Sequence, residues 1–227
     1  MSRERAYTPP DRLERCTTPR GELQLQRRGE HLEVISNGSF LMATYNGASE
    51  RELVRLAMGA ARQVGRVLIG GLGVGYSLAE ALSHSDVEHA LVIEVEQTVI
   101  RWQREYFAKY AGHVQDDRRV ETIAADLTEW LGGADEVFDV ICLDIDNGPT
   151  WLVSESNGWL YGEDGLCRLG EVLAPGGVVA FWSASRVDAF ADTLRRRFHD
   201  VRQCSVATGV GGEPDWIYLA RAPRRDS

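Results

Sequence analysis

The 227-residue sequence has few cysteines and no hydrophobic run long enough to cross a membrane. Its four cysteines, at positions 16, 142, 167 and 204, lie far apart and form no C-x-x-C pair, which argues against a zinc site and a disulfide framework. Residues 1–5, with two arginines and a glutamate, lack the apolar core of a secretory signal. We therefore expect a cytoplasmic protein with no metal and no membrane partner.

Basic residues are also few, with 25 Lys and Arg against 34 Asp and Glu and a formal net charge of −9. This balance disfavours nucleic acid and anionic membrane as partners, because both attract basic surfaces. It suits a small cationic substrate. The hydrophobic fraction of 44% in 227 residues is enough for one substantial core with a small appendage.

The most informative pattern is a glycine-rich run at residues 67–75. An apolar strand, Val67 to Ile69, leads into Gly70, Gly71, Gly73 and Gly75, and helical spacing follows from Tyr76. Glycines allow a sharp reversal and a close approach of the backbone to a ligand, and the helix offers free N–H groups. The spacing G-x-G-x-G differs from the dinucleotide fingerprint G-x-G-x-x-G. It predicts that these four glycines bind a nucleoside of the S-adenosylmethionine type.

Strand and helix patterns alternate from residue 48 onward, which predicts an α/β fold with a mostly parallel sheet. We expect a Rossmann-like methyltransferase fold of seven strands that ends in an antiparallel hairpin, with a glycine-rich turn at 209–212. Residues 21–46 carry hairpin signals, whereas residues 1–20 are charged, contain prolines and predict a loose arm. The predicted domains are 1–47, an arm with a small β-hairpin domain, and 48–227, the nucleoside-binding catalytic domain.

Acidic residues follow the predicted strands, where ligands of such sheets bind. Glu94 closes the second parallel strand, where a carboxylate can accept hydrogen bonds from both ribose hydroxyls; the alternative is a solvated strand-end acid. Asp126 follows the third strand and can meet an adenine amino group, with Leu127 beside it. A helix N-cap is the alternative for Asp126.

The fourth strand ends at Asp144, and Asp146 and Asn147 follow. A carboxylate here can orient or deprotonate an attacking amine, so Asp144 and Asp146 are the predicted catalytic residues. Asp146 could instead fix the turn that it begins. The long aromatic segment 149–165 is a candidate substrate lid, and Tyr161, together with Trp182 on the next strand, is predicted to line an amine site. Packing within the protein is the alternative for these aromatic residues.

Over residues 22–221 the sequence resembles the spermidine synthase family, the polyamine aminopropyltransferases. The resemblance rests on five motifs, which occur in the family's order: Ile69 to Gly75, Ile93 to Glu96, Asp117 to Val120, Asp144 to Pro149, and Leu173 to Gly177. It implies transfer of an aminopropyl group from decarboxylated S-adenosylmethionine to an amine, with methylthioadenosine as the by-product. It also implies a possible homodimer and no tightly bound cofactor.

The sequence departs from the family mainly in the polyamine half of the site. Gly73 stands where the family turn carries Asp, and Asn147 replaces the second acid of the catalytic motif, a position at which the resemblance implies contact with the amine substrate. The Tyr-His-Glu triplet that helps bind the polyamine corresponds to residues 50–52, of which only Glu52 is retained. Two alternatives therefore stay open: a methyltransferase that uses S-adenosylmethionine on a small molecule, and a nucleoside-binding protein without catalysis.

Overall fold

The computed structural model describes residues 9–45, 47–208 and 212–224, which form two compact units, Met1–Gly47 and Ala48–Ser227. The strands are β1 (Asp11–Thr18), β2 (Gly21–Arg28), β3 (His31–Ser36), β4 (Ser39–Ala43), β5 (Arg66–Gly70), β6 (His89–Glu94), β7 (Val120–Ala124), β8 (Phe138–Leu143), β9 (Leu173–Ser183), β10 (Phe198–Val206) and β11 (Asp215–Pro223). The helices are α1 (Gly47–Ala60), α2 (Tyr76–Ser83), α3 (Gln97–Trp102), α4 (Ala108–Ala111), α5 (Leu127–Gly133), α6 (Gly158–Tyr161), α7 (Glu163–Glu171) and α8 (Asp188–Arg197). A π-helical turn, Gln103–Phe107, joins α3 to α4.

The larger unit contains a seven-stranded sheet in the order β10-β11-β9-β8-β5-β6-β7. The five strands from β5 to β9 are parallel, whereas β11 pairs antiparallel with both β9 and β10. This arrangement confirms the predicted fold class, including the antiparallel C-terminal hairpin. Residues 209–211 of the predicted glycine-rich turn lie outside the described residues.

Both faces of this sheet are covered, and alternate residues of each strand serve the two cores. In β5, Leu68 packs in the core formed with α5, α6, α7 and α8, whereas Val67 and Ile69 pack in the core formed with α1 and α2. The period of two residues in a strand accounts for this division. Burial on both faces explains why β5, β6 and β8 read as nearly continuous apolar runs. No helix among the described residues has the length and apolarity needed to cross a bilayer.

The smaller unit is a four-stranded antiparallel sheet in the order β1-β2-β3-β4. The prediction of a loose arm over residues 1–20 is wrong for residues 11–18, because β1 pairs with β2 from Asp11 opposite Arg27 to Thr18 opposite Gly21. Its side chains are exposed or half-buried along its length, so the strand carries no clear apolar alternation. Residues 1–8 of the predicted arm lie outside the described residues.

The glycine run forms a tight turn between β5 and α2. The backbone N–H of Gly71 donates to the carbonyl of Ile93 at 2.9 Å, and the N–H of Asp144 donates to the carbonyl of Gly70 at 3.0 Å. Gly71 has a φ of +90°, and a Cβ atom there would overlap the carbonyl oxygen of Asp144. The turn therefore requires glycine at position 71 for both conformation and space.

Replacing Gly71 by alanine should lower the free energy of unfolding by at least about 2 kcal/mol, because the strained φ and the overlap with Asp144 both oppose folding. Gly59 is the matched control, since it lies in α1 and a Cβ atom there would meet no other atom within 4 Å. Gly59→Ala should leave the protein as stable or up to about 1 kcal/mol more stable. Urea unfolding measures both, and equal stability of the two variants would contradict the account of the turn.

Candidate functional site

The carboxyl ends of four parallel strands bring most of the predicted site residues to one edge of the sheet. In the strand register, Gly70 of β5 lies opposite both Ile93 of β6 and Leu143 of β8. Glu94 at the end of β6 lies opposite Ala124 at the end of β7. The glycine turn and the acids after β7 and β8 therefore begin at neighbouring points of this edge.

The side chain of Glu94 stabilises the glycine turn through hydrogen bonds to backbone N–H groups. One carboxylate oxygen accepts from the backbone N–H of Leu72 at 2.9 Å, and the other accepts from the N–H of Glu96 at 2.8 Å. The side chain is only 8% exposed, so it is not the solvated strand-end acid of the alternative interpretation. Burial raises the pKa of Glu94, and the backbone N–H groups of Glu96, Leu72 and Gly73 partly oppose that rise. Its role toward a ribose stays a prediction.

Asp126 caps the N-terminus of α5. Its Oδ1 atom accepts from the backbone N–H groups of Thr128 and Glu129, at 2.8 Å and 3.4 Å, and from the hydroxyl of Thr128. The N-cap interpretation thus describes the contacts present, and the cap fixes the carboxyl group just beyond β7. Leu127 is buried, and its side chain fills the space that a Cβ atom on Gly70 would need. Leu127 therefore supports the turn by packing.

A narrow pocket lies at the turn, with the carboxyl groups of Glu50 and Asp144 in its wall. Glu50 comes from the first turn of α1, and its backbone carbonyl accepts from the Ser77 hydroxyl at 3.2 Å, which ties α1 to α2. The eight lining residues include two acids and no Lys or Arg. They are Glu50, Gly71, Leu72, Gly73, Val74, Tyr76, Ser77 and Asp144.

Acidic residues outside the lining also act electrostatically on the two acids of the pocket. Burial raises the pKa of Asp144 strongly, and the nearby carboxylates of Asp215 and Asp146 raise it further. Burial also raises the pKa of Glu50, with Asp144 as the next contribution and a smaller one from Asp215. Asp144 is half-buried. In the protein without ligand, these side chains therefore share fewer negative charges than their number suggests.

Asp215, at the start of β11, lies close enough to Glu50 and Asp144 to raise the pKa of both, but it does not line the pocket. Burial raises its pKa, while the hydroxyl of Ser49 and the indole of Trp182 stabilise its charged form. The Trp182 Nε1 atom is buried, and by strict distance and angle it has no hydrogen-bond partner among the described residues. Trp182 thus lies beside the acidic cluster without lining the pocket.

Asp146 anchors the segment that follows β8. It is 5% exposed and accepts from the backbone N–H of Val153, the Asn157 amide at 3.0 Å and the Tyr161 hydroxyl at 3.0 Å. Tyr161 in turn packs edge-on against Phe190, with ring centroids 5.4 Å apart. Through these contacts Asp146 and Tyr161 stabilise the conformation of residues 146–161. They support the turn-fixing interpretation of Asp146 and the packing interpretation of Tyr161.

Asn147 and Glu52 also lie outside the wall of the pocket. The backbone of Asn147 bridges its own loop and the end of β9, because its N–H donates to Trp151 and its carbonyl accepts from Ala184, both at 3.1 Å. Glu52 forms an ion pair with the exposed Arg55 one turn along α1. The contacts just described therefore do not support the amine-binding roles predicted for Asn147 and Glu52, and these roles stay predictions.

Glu50 is the residue that the sequence analysis missed. Its position in the triplet at 50–52 placed it in the correct region, but a charged residue in the first turn of a helix is usually a surface residue that favours the helix dipole. The signal that could have identified it is the spacing of the apolar residues Leu53, Val54, Ala57 and Met58, which sets the buried face of α1. Glu50 lies three and four residues before the first two of them and therefore on the same face.

No group of three or more His, Cys, Asp or Glu side chains that could hold a metal ion occurs in residues 9–45, 47–208 and 212–224.

The buried acids predict a pH dependence of stability. In the folded protein the pKa of Glu50 is raised from 4.5 to about 9 and that of Asp144 from 3.8 to about 7, so within these two ranges the folded state binds more protons than the unfolded state. The free energy of unfolding should therefore fall as pH rises through each range, by up to about 1.4 kcal/mol per pH unit from the group that titrates there.

In thermal unfolding from pH 5 to pH 9, Glu50→Gln should reduce this fall because it removes one of the titrating groups. Glu105→Gln is the control, since Glu105 is exposed and pairs with Arg101 at 2.7 Å. Parallel pH profiles for Glu50→Gln and the unmodified protein would show that Glu50 does not titrate with a raised pKa.

Comparisons with known proteins agree with this geometry. Two solved spermidine synthase structures share the fold: one is in complex with the transition state analogue AdoDATO, and the other is from Thermotoga maritima. Each superposes with a TM-score of 0.79, at 22% and 20% identity, over 92% and 93% of this chain and 73% of the other chain. At this identity the match supports the fold alone.

Sequence comparison finds closer relatives. The polyamine aminopropyltransferase of Thermococcus onnurineus is 31% identical over 156 residues, which are 68% of this chain and 54% of that protein. Polyamine aminopropyltransferase 2 of Pseudomonas aeruginosa is 33% identical over 160 residues, 66% of this chain and 44% of that protein. The chain thus spans about half the length of these relatives.

The model of the spermine/spermidine synthase domain matches residues 47–187, which include the glycine turn and the strand ends that carry the acids. The predicted resemblance is therefore confirmed: the chain belongs to the spermine/spermidine synthase family.

Proposed function

We propose that this protein is an aminopropyltransferase that moves an aminopropyl group from decarboxylated S-adenosylmethionine to a small amine. The observation that carries the proposal is the acidic pocket at the glycine turn, whose lining includes Glu50 and Asp144 but no basic side chain. Such a pocket favours a donor and an acceptor that are both cationic. The relatives in Thermococcus onnurineus and Pseudomonas aeruginosa, both polyamine aminopropyltransferases by name, support the same reaction.

The nucleoside half of the site is proposed for the glycine turn, Glu94 and Asp126. Gly71 and Gly73, which line the pocket, would contact the nucleoside through their backbone, whereas Gly70, packed against Leu127, and Gly75, packed against Gln103, would shape the turn that holds it. Glu94 would accept from the ribose hydroxyls with the lone pairs that Leu72 and Glu96 leave available. Asp126 would meet the adenine amino group, with its carboxyl group already oriented by the α5 cap.

The chemical step is proposed to be an in-line displacement. A neutral amine nitrogen attacks the propyl carbon bonded to the sulfonium; the C–N bond forms, the C–S bond breaks, and its electron pair stays on sulfur in methylthioadenosine. The amine proton goes to Asp144. A carboxylate with a raised pKa suits this task, because it can take a proton near neutral pH. The donor is consumed in each turnover, so the proposal needs no tightly bound cofactor.

The amine half rests on Asp144 and on the segment that Asp146 anchors. Because Asp146 joins Val153, Asn157 and Tyr161, it would shape the segment 149–165 as a cover over the acceptor. The roles predicted for Asn147, Glu52 and Trp182 toward the amine belong to this proposal, as do a possible homodimer and the division into domains 1–47 and 48–227.

Substitution of Asp144 and Asp146 separates catalysis from anchoring. Asp144→Asn should lower kcat by at least about 100-fold, because the base is lost while the shape is retained. Asp146→Asn should lower the melting temperature and raise the KM for the amine more than it lowers kcat, because it weakens the anchor. The assay follows methylthioadenosine release with a panel of diamines. Unchanged turnover in Asp144→Asn would remove Asp144 from the mechanism.

A second candidate function is methyl transfer from S-adenosylmethionine, favoured by Gly73, which leaves the turn without an acid. Calorimetry separates the two functions. Tighter binding of decarboxylated S-adenosylmethionine and methylthioadenosine supports aminopropyl transfer, whereas tighter binding of S-adenosylmethionine and S-adenosylhomocysteine supports methyl transfer. Nucleoside binding with no turnover across the panel would point to the third alternative, a binding protein without catalysis.

A further inference from the structure

Glu50 holds a buried carboxylate oxygen that the protein does not satisfy. Its Oε2 atom has no hydrogen-bond partner among the described residues, while the carboxyl group also bonds to its own backbone N–H. Buried polar atoms in native proteins are nearly always paired, and an unpaired one costs free energy. Glu50 also lines the pocket, so this unsatisfied oxygen belongs to a side chain that borders the space a ligand would enter.

The nearest candidate cation in the protein is directed elsewhere. Arg51, the next residue of α1, places its guanidinium 4.7 Å from the ring centroid of Tyr76 and 4.0 Å from the carboxylate of Glu80. The groups that raise the pKa of Glu50 are burial, Asp144 and Asp215, all of which disfavour a second negative charge. Arg51 lowers the pKa of Glu50 only as the smallest of its causes, so a cationic ligand in the pocket would stabilise the charged form of this cluster further.

The shape of the pocket favours a small, unbranched cation. Gly71 and Gly73 line the pocket without side chains, and Ser77, another lining residue, hydrogen-bonds to the backbone carbonyl of Glu50 and so links α2 to the first turn of α1. A primary ammonium can donate three hydrogen bonds into such a space, whereas a carboxylate there would face Glu50 and Asp144 at close range.

We propose that Glu50 is a specificity-determining residue that binds the primary ammonium group of a substrate and rejects a carboxylate at the same position. This inference rests on the proposed aminopropyl transfer and adds a residue to it. The ammonium has two possible sources, the aminopropyl tail of the donor and one end of the diamine acceptor. In either case Glu50 supplies, from α1, a carboxylate beside a turn that has none of its own.

Binding measurements on Glu50→Gln, together with one kinetic constant for the acceptor, test the proposal. Methylthioadenosine carries the nucleoside but no ammonium, so the variant should bind it within about twofold of the unmodified protein. Decarboxylated S-adenosylmethionine should bind about 10- to 100-fold more weakly if its ammonium is the one that Glu50 holds, as expected for the loss of a charged hydrogen bond. If the acceptor supplies the ammonium, the KM for 1,4-diaminobutane should rise by that factor instead.

Glu105→Gln provides the control, because it removes an exposed carboxylate of the same kind. Glu50→Asp is the second variant; it retains the charge with a shorter side chain and should lose less affinity than Glu50→Gln. Retained methylthioadenosine binding shows that each variant is folded.

Three outcomes decide the matter. Unchanged donor affinity together with an unchanged diamine KM in Glu50→Gln overturns the role of Glu50 and leaves aminopropyl transfer intact. Equal weakening of methylthioadenosine and the donor also overturns it, because the effect would then lie on the nucleoside. If the unmodified protein binds S-adenosylmethionine more tightly than the decarboxylated donor, the proposed function fails, and the rejection of a carboxylate fails with it.

Discussion

Two backbone segments meet without an intervening side chain where β5 and β8 end, and the candidate site depends on that contact. Gly71 lies against the carbonyl of Asp144, and the N–H of Asp144 donates to Gly70. Glu94 fixes the other side of the turn through the backbone N–H of Leu72. A larger residue at position 71 would separate the strands, and the base would then move away from the turn that is proposed to hold the donor.

The same close packing places carboxyl groups where water is scarce. Burial raises the pKa of both Asp144 and Glu50 in a pocket with no basic lining residue; Asp144 raises that of Glu50 further, and Asp215 raises both, so the protein without ligand holds an unfavourable charge arrangement. This arrangement lowers stability as pH rises but favours a cationic substrate when one binds. The buried acids of the pocket thus lower the stability of the protein, and they would favour a cationic ligand. Asp146, in contrast, accepts hydrogen bonds from Asn157 and Tyr161 and stabilises the neighbouring segment.

The fold could be predicted because local pattern determines it: glycine spacing, apolar runs and the alternation of strands and helices. The acids at the strand ends could also be located from the sequence, while their roles toward a nucleoside stay predictions. The strand β1 could not, since only its pairing with β2 distinguishes a charged, half-exposed edge strand from a loose arm. Glu50 and Glu52 are two residues apart, about 200° around a helix, so the buried face of α1 decides which one faces the pocket, and the spacing of Leu53, Val54, Ala57 and Met58 is the sequence signal for that face. Asp146 was correctly placed near the site, but its hydrogen-bond partners come from residues that the sequence does not connect to it.

The most direct test of the account is a crystal structure of the protein with methylthioadenosine and 1,4-diaminobutane. We expect the nucleoside against the turn at 70–75, its ribose hydroxyls at Glu94, and an amine nitrogen within about 3.2 Å of the Asp144 carboxylate. Asp146 should keep its bonds to Asn157 and Tyr161. An amine nitrogen bound at Asp146, or a nucleoside bound away from the glycine turn, would contradict the account.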